Sequence, residues 1–163
     1  MSEGPVFLYT PYGDKEIETV PSDKIQPDTR IVRAPSIWLK PTGPTPDTVP
    51  LLDVLINSDY AAAALISTGS NADFISDKLA DQIGTKKSRL PYECVCQLAI
   101  AFAVPITHSV ELQFEANGKR FVRTCLVFPD MRIELIFGAQ FVIDFPTVDV
   151  VKKTFNGKPM YNP

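Results

Sequence analysis

A chain of 163 residues has room for one domain of ordinary size, and 45% apolar with 21% charged residues places it outside the disordered class. A formal charge of −3 and a pI near 5.1 argue against a general nucleic-acid binder. Three cysteines (Cys94, Cys96 and Cys125) and one histidine, His108, build neither a disulfide framework nor an ordinary zinc site. No cofactor or metal is expected. The opening residues lack a signal peptide's basic and apolar regions, and no apolar run reaches the roughly 18 residues of a membrane helix. The expectation is a soluble, intracellular, cytoplasmic protein with no membrane partner.

Nine of the 15 prolines fall within the first 50 residues. Residues 1–48 are therefore expected to form a proline-rich arm, because Pro41, Pro44 and Pro46 interrupt any helix or central strand. The arm is either flexible and extended, or docked on the domain or on a partner through Phe7, Tyr9 and Trp38. A folded unit is expected over residues 49–156, followed by a short tail, 157–163.

Leu51 to Ile56 predicts a strand, and Asn57-Ser58-Asp59 supplies turn chemistry. The alanine-rich run Tyr60 to Ile66 is ambiguous. Local propensity favours helix, whereas the turn before it and Thr68-Gly69-Ser70 after it allow the second strand of a hairpin. Ser76 as N-cap and Gly84 past the C-terminus bracket one short helix with Leu79 and Ile83 on one face. Asp73, Asp77 and Asp81 read as a solvated side of that helix, and Lys86-Lys87-Ser88-Arg89 as a solvated basic loop. Val110, Leu112 and Phe114 alternate with polar residues up to Asn117-Gly118, the pair preferred by a type I′ hairpin turn. The return strand, Lys119 to Phe128, is partly apolar on both faces. Then come an apolar run to Gly138, a helical turn over Ala139 to Asp144, and a final strand over Val148 to Phe155. Many short strands with one short helix predict an all-β barrel or sandwich.

The stretch Ala64-Leu65-Ile66-Ser67-Thr68-Gly69-Ser70 followed by Phe74-Ile75-Ser76, Leu79-Ala80 and Ile83-Gly84 resembles the active-site loop of retropepsin-like aspartic proteases, the LTR-retrotransposon and retroviral type. Ile136-Phe137-Gly138, with Phe141-Val142 after it, resembles that family's second motif. The resemblance covers residues from about 49 to 156. It implies a small closed β-barrel with one short helix, assembled as a twofold homodimer, and it places the alanine run in a strand. In the family each subunit contributes one Asp to a pair that shares a proton and activates water. The Thr of the motif braces the two loops, so Thr68, Gly69 and Ser70 become the implied dimer contact.

At the position of the catalytic Asp this chain has Ser67. A serine hydroxyl does not titrate near neutral pH and cannot serve as that general base. As a nucleophile it would need an adjacent base, yet His108 is the only imidazole and no Gly-x-Ser-x-Gly elbow is present. The segment expected to form the family's mobile flap, Gln97 to His108, has no glycine. Ile100, Ala101 and Phe102 are its candidate peptide-contacting residues. Two readings follow. The chain is a catalytically inactive, retrotransposon-derived pseudoprotease serving as a homodimerisation and protein- or peptide-interaction module. Alternatively, it is a retroelement endopeptidase that processes a polyprotein and is inactivated by an Asp-to-Ser change at position 67. A β-structured adaptor unrelated to proteases is the third possibility.

Overall fold

The proline-rich segment itself begins the sheet. The computed structural model describes residues 6–34, 51–99, 102–116, 118–144 and the strand pairs 148–149, 154–155 and 158–159. β1 (Val6–Tyr9) pairs antiparallel with β2 (Glu16–Pro21), and a 3-10 turn over Ser22–Lys24 leads to β3 (Arg30–Arg33). The body follows with β4 (Leu51–Ile56), β5 (Tyr60–Ile66), β6 (Phe74–Ser76), α1 (Asp77–Gln82), β7 (Ser88–Ala99), β8 (Phe102–Ala116), β9 (Lys119–Phe128), β10 (Leu135–Phe137) and α2 (Ala139–Asp144). Three two-residue strands close the chain: β11 (Val148–Asp149), β12 (Thr154–Phe155) and β13 (Lys158–Pro159).

The chemistry of each turn explains the local structure. Between β4 and β5, Asn57 and Ser58 both have positive φ, 51° and 67°, and the Asp59 N–H donates to Ile56 O at 3.1 Å. That is the primed turn whose twist matches the flanking strands. The alanine run is strand β5, against its helical propensity, because both its edges are used. β4 pairs it antiparallel from Tyr60 to Leu65, and β10 pairs it parallel through Ala64, Leu65 and Ile66. Tertiary pairing outweighs a propensity difference of a few tenths of a kcal/mol per residue. Helix α1 begins as expected, with Ser76 Oγ accepting the Leu79 N–H at 3.0 Å, and ends at Gly84, whose φ is +67°. The final strand expected over Val148 to Phe155 is instead two short strands. Val148 pairs with Phe155 and Asp149 with Thr154, antiparallel.

The pairing path runs β8-β4-β5-β10-β6-β9 and returns to β8, which β9 also pairs. Strand alternation then creates two cores. Ala62, Ala64, Ile66, Ile75, Val110, Leu112, Phe114, Cys125 and Phe137 point to one side of the sheet. There Phe137 stacks on Phe114 and Phe141, with centroids 5.0 and 4.6 Å away. Leu65, Phe74, Leu126, Phe128 and Ile136 point to the other side. This two-sidedness explains why β9 reads as apolar on both faces.

The second core needs a cover, and residues 6–34 form part of it. Tyr12, Ile17 and Ala34 are buried there, 3%, 6% and 8% exposed, and Tyr12 meets Phe128 edge-on at 5.6 Å. The arm is therefore sewn into the sheet over these residues and is not a free extension. β2 pairs with β8 (Val20 with Ala103, Pro21 with Phe102), and β3 pairs parallel with β7 from Arg30–Cys94 to Arg33–Gln97. Of the residues named for docking, two are described. Phe7 and Tyr9 stand 54% and 64% exposed on β1 and are not part of the buried cores among the described residues. Trp38 lies outside the described residues. Among the described residues, no helix is long and apolar enough to cross a membrane.

Candidate functional site

The loop after β5 is held by main-chain bonds on both flanks. The Ser67 N–H donates to Phe137 O at 2.9 Å, the Ser70 N–H to Ser67 O at 3.3 Å, and the Ala139 N–H to Ser70 O at 2.8 Å. The two sequence motifs, Ser67 to Ser70 and Ile136 to Gly138, are thus brought side by side. Gly138 is required for that approach. A Cβ there would lie 2.5 Å from Ser70 O and 2.7 Å from Ala72 O, closer than atoms tolerate.

Beneath the loop lies a buried ion pair that the linear sequence conceals. Asp73 is 6% exposed, not on a solvated helix side. Its Oδ1 accepts the Gly138 N–H at 2.8 Å, and its Oδ2 accepts Arg123 Nε–H at 2.8 Å and lies 2.6 Å from the second guanidinium nitrogen. Arg123 also reaches Asp144 at 2.6 Å. Burial works against the Arg123 charge, but Asp144 and Asp73 outweigh it and raise its pKa. Hydrogen bonds from Arg123 and then Gln140 lower that of Asp144. The Asp73 main chain joins in, its carbonyl accepting the Leu126 N–H at 2.8 Å. One side chain thus ties the loop, β9 and the second motif together. The usable signal was an Arg, Arg123, placed on the inward-facing alternation of β9.

At the loop's tip Ser67 is half-buried, while Thr68 and Gly69 are exposed. Ser67 Oγ accepts the Gly69 N–H at 3.2 Å, its only hydrogen bond among the described residues. His108 sits on β8, its Nδ1 2.8 Å from Thr107 Oγ1, and makes no bond to Ser67. No group of three or more His, Cys, Asp or Glu is placed to hold a metal ion among the described residues. Ser70 is fully buried. Its Oγ lies 2.6 Å from Ala72 O and 3.1 Å from Arg33 O, so the one proton goes chiefly to Ala72. Arg33 is held further by Asn71, whose N–H donates to Arg33 O at 3.1 Å and whose Oδ1 accepts the Arg33 N–H at 2.6 Å.

No protein-family model matches the chain, and no curated protein sequence matches it. Among solved structures it is similar to the retroviral protease-like domain of Ddi1 from Leishmania major, at 13% identity and a TM-score of 0.52. The match covers 69% of this chain and 94% of that one. The fold is retropepsin-like. At this identity the likeness speaks for architecture alone.

The segment read in the sequence as the flap, Gln97 to His108, falls within the paired strands β7 and β8. Ala99 pairs with Phe102. Ile100 and Ala101 lie outside the described residues. Phe102 is half-buried and paired with Pro21 of the N-terminal segment. Gln97 spans the same junction, its amide nitrogen donating to Ser22 Oγ and to Phe102 O, each at 3.1 Å. The three thiols are buried and free. Burial pushes Cys96 up to about 12 and raises Cys94 and Cys125 as well.

Proposed function

We propose that the chain is a catalytically inactive retropepsin-like module that pairs with a second copy of itself and binds extended protein segments. We read the circuit of strands that returns to β8 as a small closed barrel, the half-molecule of a twofold dimer. The observation that carries the proposal is Ser67. The sequence resemblance reads it at the position of the family's acid; its loop is tied to the second motif, and its hydroxyl meets only a backbone N–H among the described residues. Neither carboxylate chemistry nor an activated serine is available there. The exposed Thr68 and Gly69 at the tip are the surface offered to the partner loop. Binding of an extended peptide needs main-chain hydrogen bonds, not an acid pair, so this function survives the substitution. Three buried free thiols fit a reducing, intracellular setting.

Two measurements test this. Sedimentation at micromolar concentrations should give a dimer, and a monomer there removes the pairing claim. Restoring the acid with Ser67→Asp should leave a folded protein that still does not cleave extended apolar peptides between pH 4 and 7. Cleavage by that variant, blocked by a transition-state inhibitor of aspartic proteases, would establish the alternative: a working retroelement endopeptidase inactivated only at position 67.

A further inference from the structure

β3 differs from every other strand in what it binds. Along one edge it pairs in parallel with β7, Ile31 opposite Val95 and Val32 opposite Cys96. At its end, Arg33 is clasped by Asn71 through both its N–H and its carbonyl, with Ser70 Oγ as a third contact. It therefore bridges the flap-like hairpin and the loop that carries Ser67. Few side chains anchor it. Ile31 is 47% exposed, Val32 is half-buried, and Ala34 alone is fully buried. The Arg30 guanidinium lies over the Tyr92 ring, 3.8 Å from its centroid. Most of the hold is main-chain hydrogen bonding, which a strand of another sequence can reproduce.

We propose that the space between the outer edge of β7 and Asn71 is a strand-binding slot, and that Arg30 to Ala34 is its resident ligand. The segment works as a latch: an extended segment of a partner protein enters only by displacing it. The slot selects a small residue at the position of Ala34, an aliphatic one at Val32 and a cation over Tyr92 at Arg30. This deepens the proposed function and rests on reading this face as a peptide-binding cleft.

The test uses the full chain and a fluorescent peptide of residues 26–34. Val32→Asp places a carboxylate against Cys96 and ejects the strand. That variant should bind the peptide at least about thirtyfold more tightly than the unaltered chain, because the resident ligand no longer competes. Adding Asn71→Ala should weaken binding about tenfold, the loss of one main-chain bond to its amide. Equal binding by the unaltered chain and Val32→Asp overturns the latch. So does a folded Val32→Asp chain that binds no peptide. If Val32→Asp does not fold, amide exchange in the unaltered chain decides. Arg33 and Asn71 should exchange at least about tenfold faster than Leu112 and Phe121, through local opening. Equal rates would make β3 a permanent strand and overturn the proposal. Sedimentation of the same samples reports the dimer separately, so a failed latch and a failed pairing are distinguishable.

Discussion

Replacing Asp73 by alanine removes the carboxylate that, among the described residues, joins β9 to both halves of the candidate site. The Gly138 N–H, buried and bonded to Oδ1 at 2.8 Å, loses its acceptor. An orphaned buried donor costs about 1–3 kcal/mol. Arg123, whose side chain is 13% exposed, loses two of its bonds but keeps Asp144. Breaking a buried pair outright costs about 3–5 kcal/mol, and the surviving partner places this case toward the low end. The two effects share one side chain, so about 4 kcal/mol is the expected total, a large fraction of the roughly 5–15 kcal/mol that holds a domain together. With a urea m-value of about 2 kcal/mol/M, the unfolding midpoint should fall by about 2 M. Asp73→Asn keeps an acceptor for Gly138 and loses only the charge, so it should fall about half as far. Asp144→Asn, at the exposed end of the network, should leave the midpoint nearly unchanged. Urea titrations of the three variants at pH 7 make the comparison. An Asp73→Ala midpoint within about 0.5 M of the unaltered protein, or an Asp144→Asn effect of the same size, would refute the placement of Asp73 as the buried tie.

Gly138→Ala should destabilise by about 2–3 kcal/mol, since the added carbon meets two backbone carbonyls that cannot rotate away; loss of amide protection at Ala139 would show where the loops part. Ser76→Ala removes the cap of α1 and should cost about 1 kcal/mol in thermal or urea unfolding. The thiols carry a pH dependence. Cys96 has a folded pKa raised above the ordinary 9.0 by burial, so its contribution is complete below pH 9 and is lost as the pH rises toward 12. By pH 10 the loss should be about 1.4 kcal/mol, absent from Cys96→Ala; an identical pH slope in that variant would refute it. In the native protein at pH 7.5 a maleimide should leave all three cysteines unmodified, and denaturation should expose them.

The elements legible in the sequence are those whose cause is local. Asn57-Ser58, the Ser76 cap, Gly84 and the alternation from Val110 to Phe114 each act within a few residues, and each stands where its chemistry predicts. The docking of residues 6–34 was not legible. Its anchors, Tyr12 and Ile17, are isolated apolar residues among prolines and charges, and their partners lie far along the chain. The obvious cluster Val6-Phe7-Leu8-Tyr9 is exposed and takes no part in that buried cover. A clue was present in the body. Leu65, Phe74, Leu126, Phe128 and Ile136 put large apolar groups on the face opposite the first core, and such a face needs a cover from elsewhere in the chain. Asp73 was hidden for a related reason. Its spacing from Asp77 and Asp81 suggests one helix side, but β6 separates it from that helix, and its true partner is fifty residues away.

The N-terminal segment also changes what the β7–β8 hairpin can do. A two-stranded hairpin with free edges can swing as a unit, because nothing beyond its base resists the motion. Here neither edge is free. β7 has four register pairs with β3, and β8 has two with β2. Opening the hairpin as a flap requires breaking those pairs and exposing Ala34 and Cys96, which the closed arrangement buries. Ladder bonds and burial are lost together in that motion, so it becomes a cooperative, sub-global opening and not a loop fluctuation. Under the proposed latch, a strand that binds beside Asn71 competes with the chain's own Arg30 to Ala34 before it gains a contact. This competition is independent of which residue stands at position 67.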